Sequence, residues 1–500
     1  MGPAVILGSL AVSSVQGFAQ VPSFPPEEEL RGRKAGEFAT RLGEYAGGAA
    51  DWGFLFVPEN RARPDSRLLR LVMVRQRARG EDASPPIFNL VGGPGESNVW
   101  ASGELAAGLL EHNDVVRVGY RGIDSDVELL CPEFTQALQT NGPLSEASIK
   151  KTRKALRACN DRLRAGGVDV DGYNLAEVVG DIEDARKALG YERIDFLAVS
   201  WGTQIAYAYA MKYPERVRRM LLVGAGGRAR GFDLWSPQMV ERKLRAYAEL
   251  WKQDPEASAR SADLLASVRR ALAGLPQTWR GVPIDRDKVR LAAWHMLRET
   301  REAAQMFDAF VAADQGDYGG LALLSMGYDD ELRKESQRKH GPYHGEFFSK
   351  VMSSGLDPDR DWVREMDAEG VLGSPAAKLL WGAASKGGWP IKPVPSSYRR
   401  DAAIDAQCLV VMGDLDASSP VEYAREELMP RLKRGRLVVL SHMGHTEFVR
   451  VQHQAFERLA TRFFLNGEVD SSRFVHQPID FSPENSLVRQ ARELVPEERK

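Results

Sequence analysis

Cysteine is scarce in this chain, and zinc-ligand spacing is missing. The 500 residues hold three cysteines and eight histidines, and none fall in the paired patterns that build a metal site. An excess of either charge is also missing: 67 Lys and Arg stand against 69 Asp and Glu, for a net charge of −2. That balance gives no electrostatic reason to expect a nucleic acid or an anionic membrane as partner. No internal apolar run approaches the about 20 residues of a membrane span. Internal repeats and low-complexity tracts are absent. The rest of the composition, 43% hydrophobic and 27% charged, is that of a soluble globular protein. The length suits one large domain with an insertion, or two domains.

The two ends stand apart from this pattern. Residues 1–19 read as a secretory signal peptide, with an apolar stretch Ala4–Val12 and the small-residue site Gly17-Phe18-Ala19. It is atypical, because no Lys or Arg precedes the apolar part. The chain is therefore expected to be secreted or periplasmic, with the cytoplasm as the alternative. Residues 20–45, Pro- and Glu-rich at first, read as a surface arm, and residues 467–500 as a tail without strong periodicity. In an oxidising compartment Cys131 and Cys159, which flank a stretch of loop and helix, can pair; Cys408, in an apolar run, reads as a small buried hydrophobe.

Between the ends, apolar runs alternate with helical periodicity. Strands are predicted over 67–74, 86–91, 114–120, 193–199 and 217–223, with helices over 145–165, 175–189 and 201–212. After Gly224 the rhythm turns helical and stays so to about Asp401. Then a strand returns at 407–412, followed by a helix at 421–434, a strand at 436–440 and a helix at 446–464. Alternating strands and helices predict an α/β fold with a mostly parallel sheet, its strands apolar throughout because both faces are covered. The expected layout is a core of 46–224 and 402–466 interrupted by a helical cap of 225–401.

The run Ile194-Asp195-Phe196-Leu197-Ala198-Val199-Ser200-Trp201-Gly202 takes an apolar strand into a serine and then a helix. This is the pattern of a nucleophile elbow, with Ala198 in place of its first glycine. Alone it reads equally well as a helix N-cap after a buried strand. Downstream residues favour the first reading. Nucleophile, acid and histidine follow in that chain order in such folds. The strand at 407–412 runs into Gly413-Asp414-Leu415-Asp416, and the strand at 436–440 into Ser441-His442-Met443-Gly444-His445. Asp416, deeper in its turn than Asp414, is the expected acid, and His445, between a glycine and a helix start, the expected base, with His442 as runner-up. Two backbone donors must meet the oxyanion. Trp201, after the serine, supplies one, and Gly93, in the run Gly92-Gly93-Pro94-Gly95, the other. Gly92, Pro94 and Gly95 are expected to line the substrate, since glycines permit close approach and the proline fixes the bend.

Together Gly92-Gly93-Pro94-Gly95, Tyr120-Arg121-Gly122, Val199-Ser200-Trp201-Gly202, Gly413-x-x-Asp416 and Gly444-His445 resemble the α/β-hydrolase family of prolyl aminopeptidases and secreted tripeptidyl aminopeptidases. The resemblance spans about residues 50–465. It implies an eight-stranded α/β-hydrolase core, a helical cap, no metal or cofactor, and release of proline or short peptides from free peptide N-termini through an acyl-enzyme on Ser200. It also implies a disulfide between Cys131 and Cys159. Members that remove single prolines bind the peptide amine with cap carboxylates, and Asp329, Asp330 and Glu331 are candidates for that role. The chain departs from its relatives at Val91, commonly His, and at Gly119-Tyr120, commonly Asp-Gln. Two other functions fit the same residues: a carboxylesterase or small-molecule ester or amide hydrolase, and a non-catalytic binding protein on the same fold. Ser200 argues against an epoxide hydrolase or dehalogenase, which needs Asp at the elbow.

Overall fold

The computed structural model describes residues 32–496 apart from 46–47, 81–83, 100–107, 227–234, 338–340, 358, 368–369 and 400–401. The expected signal peptide at 1–19 and the start of the arm lie outside the described residues.

The chain folds around a nine-stranded sheet: β1 Phe38–Tyr45, β2 Gly48–Pro58, β3 Leu68–Gln76, β4 Ser84–Leu90, β5 Asn113–Val118, β6 Ile194–Val199, β7 Val217–Val223, β8 Ile404–Gly413 and β9 Leu432–Leu440. Their spatial order is β1-β2-β3-β5-β4-β6-β7-β8-β9. The first three pairings are antiparallel and the remaining five parallel. The central strands are apolar on both faces, and their residues alternate between two cores. Phe196, Ala198, Met220, Leu222, Val410 and Met412 pack on one side, and Leu197, Leu221, Val223, Leu409 and Val411 on the other. This is how a parallel strand covered on both faces divides its side chains. Between β7 and β8 the described chain is helical, from Pro237–Gln253 to Pro375–Ala384, save for a two-residue hairpin at Thr278–Trp279 and Val282–Pro283.

Three expectations are corrected. The sheet has nine strands rather than eight, because the stretch read as a surface arm contains β1, paired with β2 from Phe38 opposite Leu55 to Tyr45 opposite Gly48. An edge strand is held by backbone pairing and needs no apolar run; Leu42 stays 78% exposed. The helix expected over 421–434 is a short α-turn at Val421–Tyr423, a π-turn at Ala424–Leu428 and a 3₁₀ turn at Met429–Arg431. Pro430 ends it by removing a donor, and β9 starts at Leu432. The tail contains the helix Leu487–Leu494, whose Leu487, Val488 and Ala491 are buried. Ahead of it Phe481 lies edge-on to Trp251 at 5.2 Å, and Arg492 pairs with Asp317 at 2.5 Å. Two turns of helix are too few to mark a clear period in sequence.

A disulfide joins Cys131 to Cys159, 28 residues apart, and fixes the start of helix Pro132–Leu138 to helix Glu146–Ala165. By loop-closure entropy, Cys131→Ser/Cys159→Ser should lower stability by about 3.5 kcal/mol. Denaturant melts of the double variant against the parent, both without reductant, measure this.

Candidate active site

Ser200 stands at the end of β6 with φ +52°. A non-glycine residue in this left-handed region is strained. The neighbours hold it there: its N–H donates to Val223 O at 2.8 Å and its carbonyl accepts from the Thr203 N–H at 3.0 Å. The turn brings the next helix hard against β4, and a Cβ at Gly202 would lie 2.4 Å from Leu90 O. Gly202 is therefore the indispensable glycine of the elbow. Ala198, fully buried, fits where the pattern has its other glycine.

The loop after β8 carries Asp416, which is 0% exposed. The N–H groups of Ser418 and Ser419 both donate to its Oδ1 at 2.7 Å, leaving Oδ2 for the Nδ1 of His445 at 2.8 Å. The other ring nitrogen of His445, Nε2, lies 2.8 Å from Ser200 Oγ. The structure thus brings Ser200, Asp416 and His445 into one hydrogen-bonded line at the carboxyl ends of parallel strands. Close packing places the ring: Gly224 bends with φ +59°, and a Cβ there would lie 2.9 Å from His445 Cε1.

The two runners-up lie elsewhere. The Asp414 carboxylate accepts from the Met443 N–H at 3.4 Å, and His442 has φ +58° with its ring against His476, centroids 4.4 Å apart.

The glycine loop presses on the serine. A Cβ at Gly92 would lie 2.7 Å from Ser200 Cβ and 3.3 Å from its Oγ, while Gly93 takes φ +106° and Gly95 φ +90°. The root of the loop is fixed from below. Asn98 donates to Asn89 O at 3.0 Å and Val118 O at 2.8 Å, and accepts from the Val91 N–H at 2.8 Å. The Tyr120 hydroxyl donates to Val91 O at 3.1 Å. Neighbouring Arg121 is fully buried and donates to Asp181 Oδ2 at 2.7 Å, Glu59 O at 2.6 Å and Gly172 O at 2.7 Å. Within the Tyr120-Arg121-Gly122 run, Tyr120 therefore holds the root of the glycine loop, while Arg121 ties the run to Asp181 and to the backbone of Glu59 and Gly172.

Asp329, Asp330 and Glu331 sit on the helix Gly319–Gln337. Each is taken up by a cation: Lys288 at 2.7 Å, Arg333 at 2.6 Å and Lys334 at 2.5 Å respectively. No hydrogen bond or ion pair links them to Ser200, His445 or the glycine loop among the described residues. Sequence reasoning missed Glu447, two residues beyond the histidine. Its carboxylate accepts from the Gly444 N–H at 2.5 Å and from Thr300 N and Oγ at 2.9 Å, tying the histidine loop to the start of helix Thr300–Asp314. The His445 N–H also donates to Arg298 O at 2.7 Å. Among the described residues no group of three or more His, Cys, Asp or Glu is arranged to hold a metal ion.

Glu96 follows the glycine loop, and burial pushes its carboxyl up to about 7, with Glu346 adding to the shift and Arg298 opposing it. Between its unfolded value near 4.5 and 7 the folded chain keeps a proton that the unfolded chain has lost, so this group destabilises the fold increasingly as pH rises through that window. Glu96→Gln removes the cost. Its gain in apparent Tm should be near zero at pH 5 and roughly 2 °C or more at pH 8, read from thermal scans at both pH values.

Comparison with known proteins agrees with this architecture. The α/β-hydrolase fold family matches residues 85–294, and a family described as TAP-like protein matches residues 376–474. The serine protease Hip1 of Mycobacterium tuberculosis is 31% identical over 194 residues, 36% of each chain. A tripeptidyl aminopeptidase of Streptomyces coelicolor is 28% identical over 272 residues, 49% of each chain. A proline iminopeptidase of Xylella fastidiosa is 26% identical over 178 residues, 32% of this chain and 53% of that one. The chain thus spans about a third to a half of the length of these two curated relatives. With a serine at the elbow of a mostly parallel sheet and the TAP-like match across β8, β9 and the loops that follow them, the chain has the α/β-hydrolase fold and is similar over part of its length to these serine peptidases.

Proposed function

We propose that this chain is a serine aminopeptidase, which releases proline or short peptides from free peptide N-termini through an acyl-enzyme on Ser200. The observation that carries the reading is the line Ser200 Oγ–His445 Nε2 and His445 Nδ1–Asp416 Oδ2, both 2.8 Å. The names of the relatives, two aminopeptidases and a protease, direct it toward peptides.

In this mechanism His445 Nε2 accepts the Ser200 proton as Oγ attacks the scissile carbonyl carbon. Asp416 holds the Nδ1–H tautomer and stabilises the imidazolium. The carbonyl oxygen, now carrying the negative charge, is met by the Gly93 and Trp201 N–H groups. Collapse breaks the C–N bond, and His445 returns its proton to the departing amine. A water then attacks the ester, with the same histidine taking and returning a proton, and frees Ser200.

Export forms part of the proposal. It is supported by the apolar, small-residue stretch before residue 20 and by the Cys131–Cys159 disulfide, since such bonds persist in oxidising compartments. No helix among the described residues is long and apolar enough to cross a membrane.

Ser200→Ala should reduce turnover to background with folding intact. Asp416→Asn should lower kcat by about 10⁴-fold through loss of tautomer control, with Asp414→Asn within about tenfold of the parent. A larger loss for Asp414→Asn would reassign the acid. The substrate class is tested with p-nitroanilides of proline, alanine and a tripeptide, free and N-acetylated. Turnover of the free amides with loss on acetylation is expected. Hydrolysis of p-nitrophenyl esters with none of the amides would make the chain an esterase.

A further inference from the structure

A glycine loop has little stiffness of its own, yet an oxyanion donor is useful only if it is already aimed. Gly93 lies between two anchors. Upstream, Val91 is held at both backbone groups by Asn98 and Tyr120. Downstream, the Gly95 N–H donates to Glu346 Oε2 at 2.7 Å, and Glu346 belongs to the cap helix His344–Ser353. Glu346 is fully buried and forms an ion pair with Lys350, one turn on and also fully buried. The Lys350 ammonium sits 3.7 Å from the centroid of the Tyr120 ring, and Tyr120 is the residue that holds Val91. The pair therefore bears on both ends of the loop, on Gly95 directly and on Val91 through Tyr120.

The helix bearing this pair is seated tightly. The Gly345 N–H donates to Leu129 O at 3.0 Å, the Trp389 indole donates to Ser349 Oγ at 3.1 Å, and a Cβ at Gly95 would lie 3.3 Å from Phe347 Cβ. A buried ion pair is a poor device for stability, since an apolar pair of similar size serves as well or better. Its value here lies in the acceptor it presents to Gly95.

We propose that Glu346, held by Lys350, is a positioning residue that aims the Gly93 N–H at the oxyanion by fixing Gly95 from the cap. The inference rests on the serine-hydrolase reading of Ser200 but not on its peptide specificity.

The test compares two double variants that both remove the buried charges. Glu346→Gln/Lys350→Met keeps a carbonyl oxygen for Gly95; Glu346→Leu/Lys350→Met does not. Each is assayed for kcat and KM on the preferred substrate of the parent, amide or ester, and for the rate of Ser200 labelling by a fluorophosphonate, whose phosphoryl oxygen takes the oxyanion position. The Leu variant should lose about 10²-fold in kcat and in labelling rate, the usual effect of losing one oxyanion donor, with KM within about threefold. The Gln variant should recover most of that loss. Should the Leu variant fail to fold, Glu346→Asp, which withdraws the carboxylate from Gly95 but keeps the pair, is expected to lower kcat at unchanged KM. Equal activity of the Leu and Gln variants, or full activity of Glu346→Asp in that case, would overturn the inference. So would a loss confined to KM. A parent that neither labels nor hydrolyses any substrate would instead overturn the hydrolase reading, and the inference with it.

Discussion

The left-handed backbone at Ser200 is the constraint to which the rest of the site is fitted. A non-glycine residue at φ +52° costs of order 1–2 kcal/mol, and local propensity supplies nothing to offset it. The offset comes from the sheet. Ser200 can be held by Val223 only because β6 and β7 run parallel and in register, with Val199 opposite Val223. The helix after the elbow can turn so sharply only because Gly202 lets it rest on the backbone of β4. Strain at the serine is thus balanced by hydrogen bonds and packing in strands that are largely buried. It leaves the hydroxyl outside the turn, where an imidazole from another loop can reach it.

Everything else arrives at the same edge of the sheet for a topological reason. Parallel strands all end on one side, so the loops after β4, β6, β8 and β9 share it. The loop after β4 brings the glycines, the one after β8 the acid, and the one after β9 the histidine. These were the most legible parts of the sequence, because each is a buried strand followed by a short loop with few candidates. The choice between Asp414 and Asp416 was legible only as depth in a turn. In the structure the N–H groups of Ser418 and Ser419 orient one Asp416 carboxylate oxygen and leave the other for His445.

What the sequence hid has physical reasons. β1 lies at the sheet edge, where backbone pairing suffices and side chains such as Leu42 face solvent, so no apolar run marks it. The short tail helix hides its face in two turns. The acidic run Asp329-Asp330-Glu331 looked available because a sequence displays charges without their partners; folded, each carboxylate meets a lysine or arginine. The converse error concerns Glu346 and Glu447. Each reads as one more helix carboxylate, yet they contact the glycine loop and the histidine loop. Charge that is buried and engaged with backbone cannot be told from solvated charge without the fold.

The helical segment between β7 and β8 meets three of the loops that carry candidate site residues. Glu346 reaches the glycine loop. Arg298 and Thr300 hold the histidine loop through its backbone and through Glu447. The Trp235 indole donates to Ser418 O at 2.9 Å, beside the acid, and Lys243 donates to Asp414 O at 2.9 Å in the same loop. Moving these segments as one body would therefore loosen the glycine loop, the acid loop and the histidine loop together.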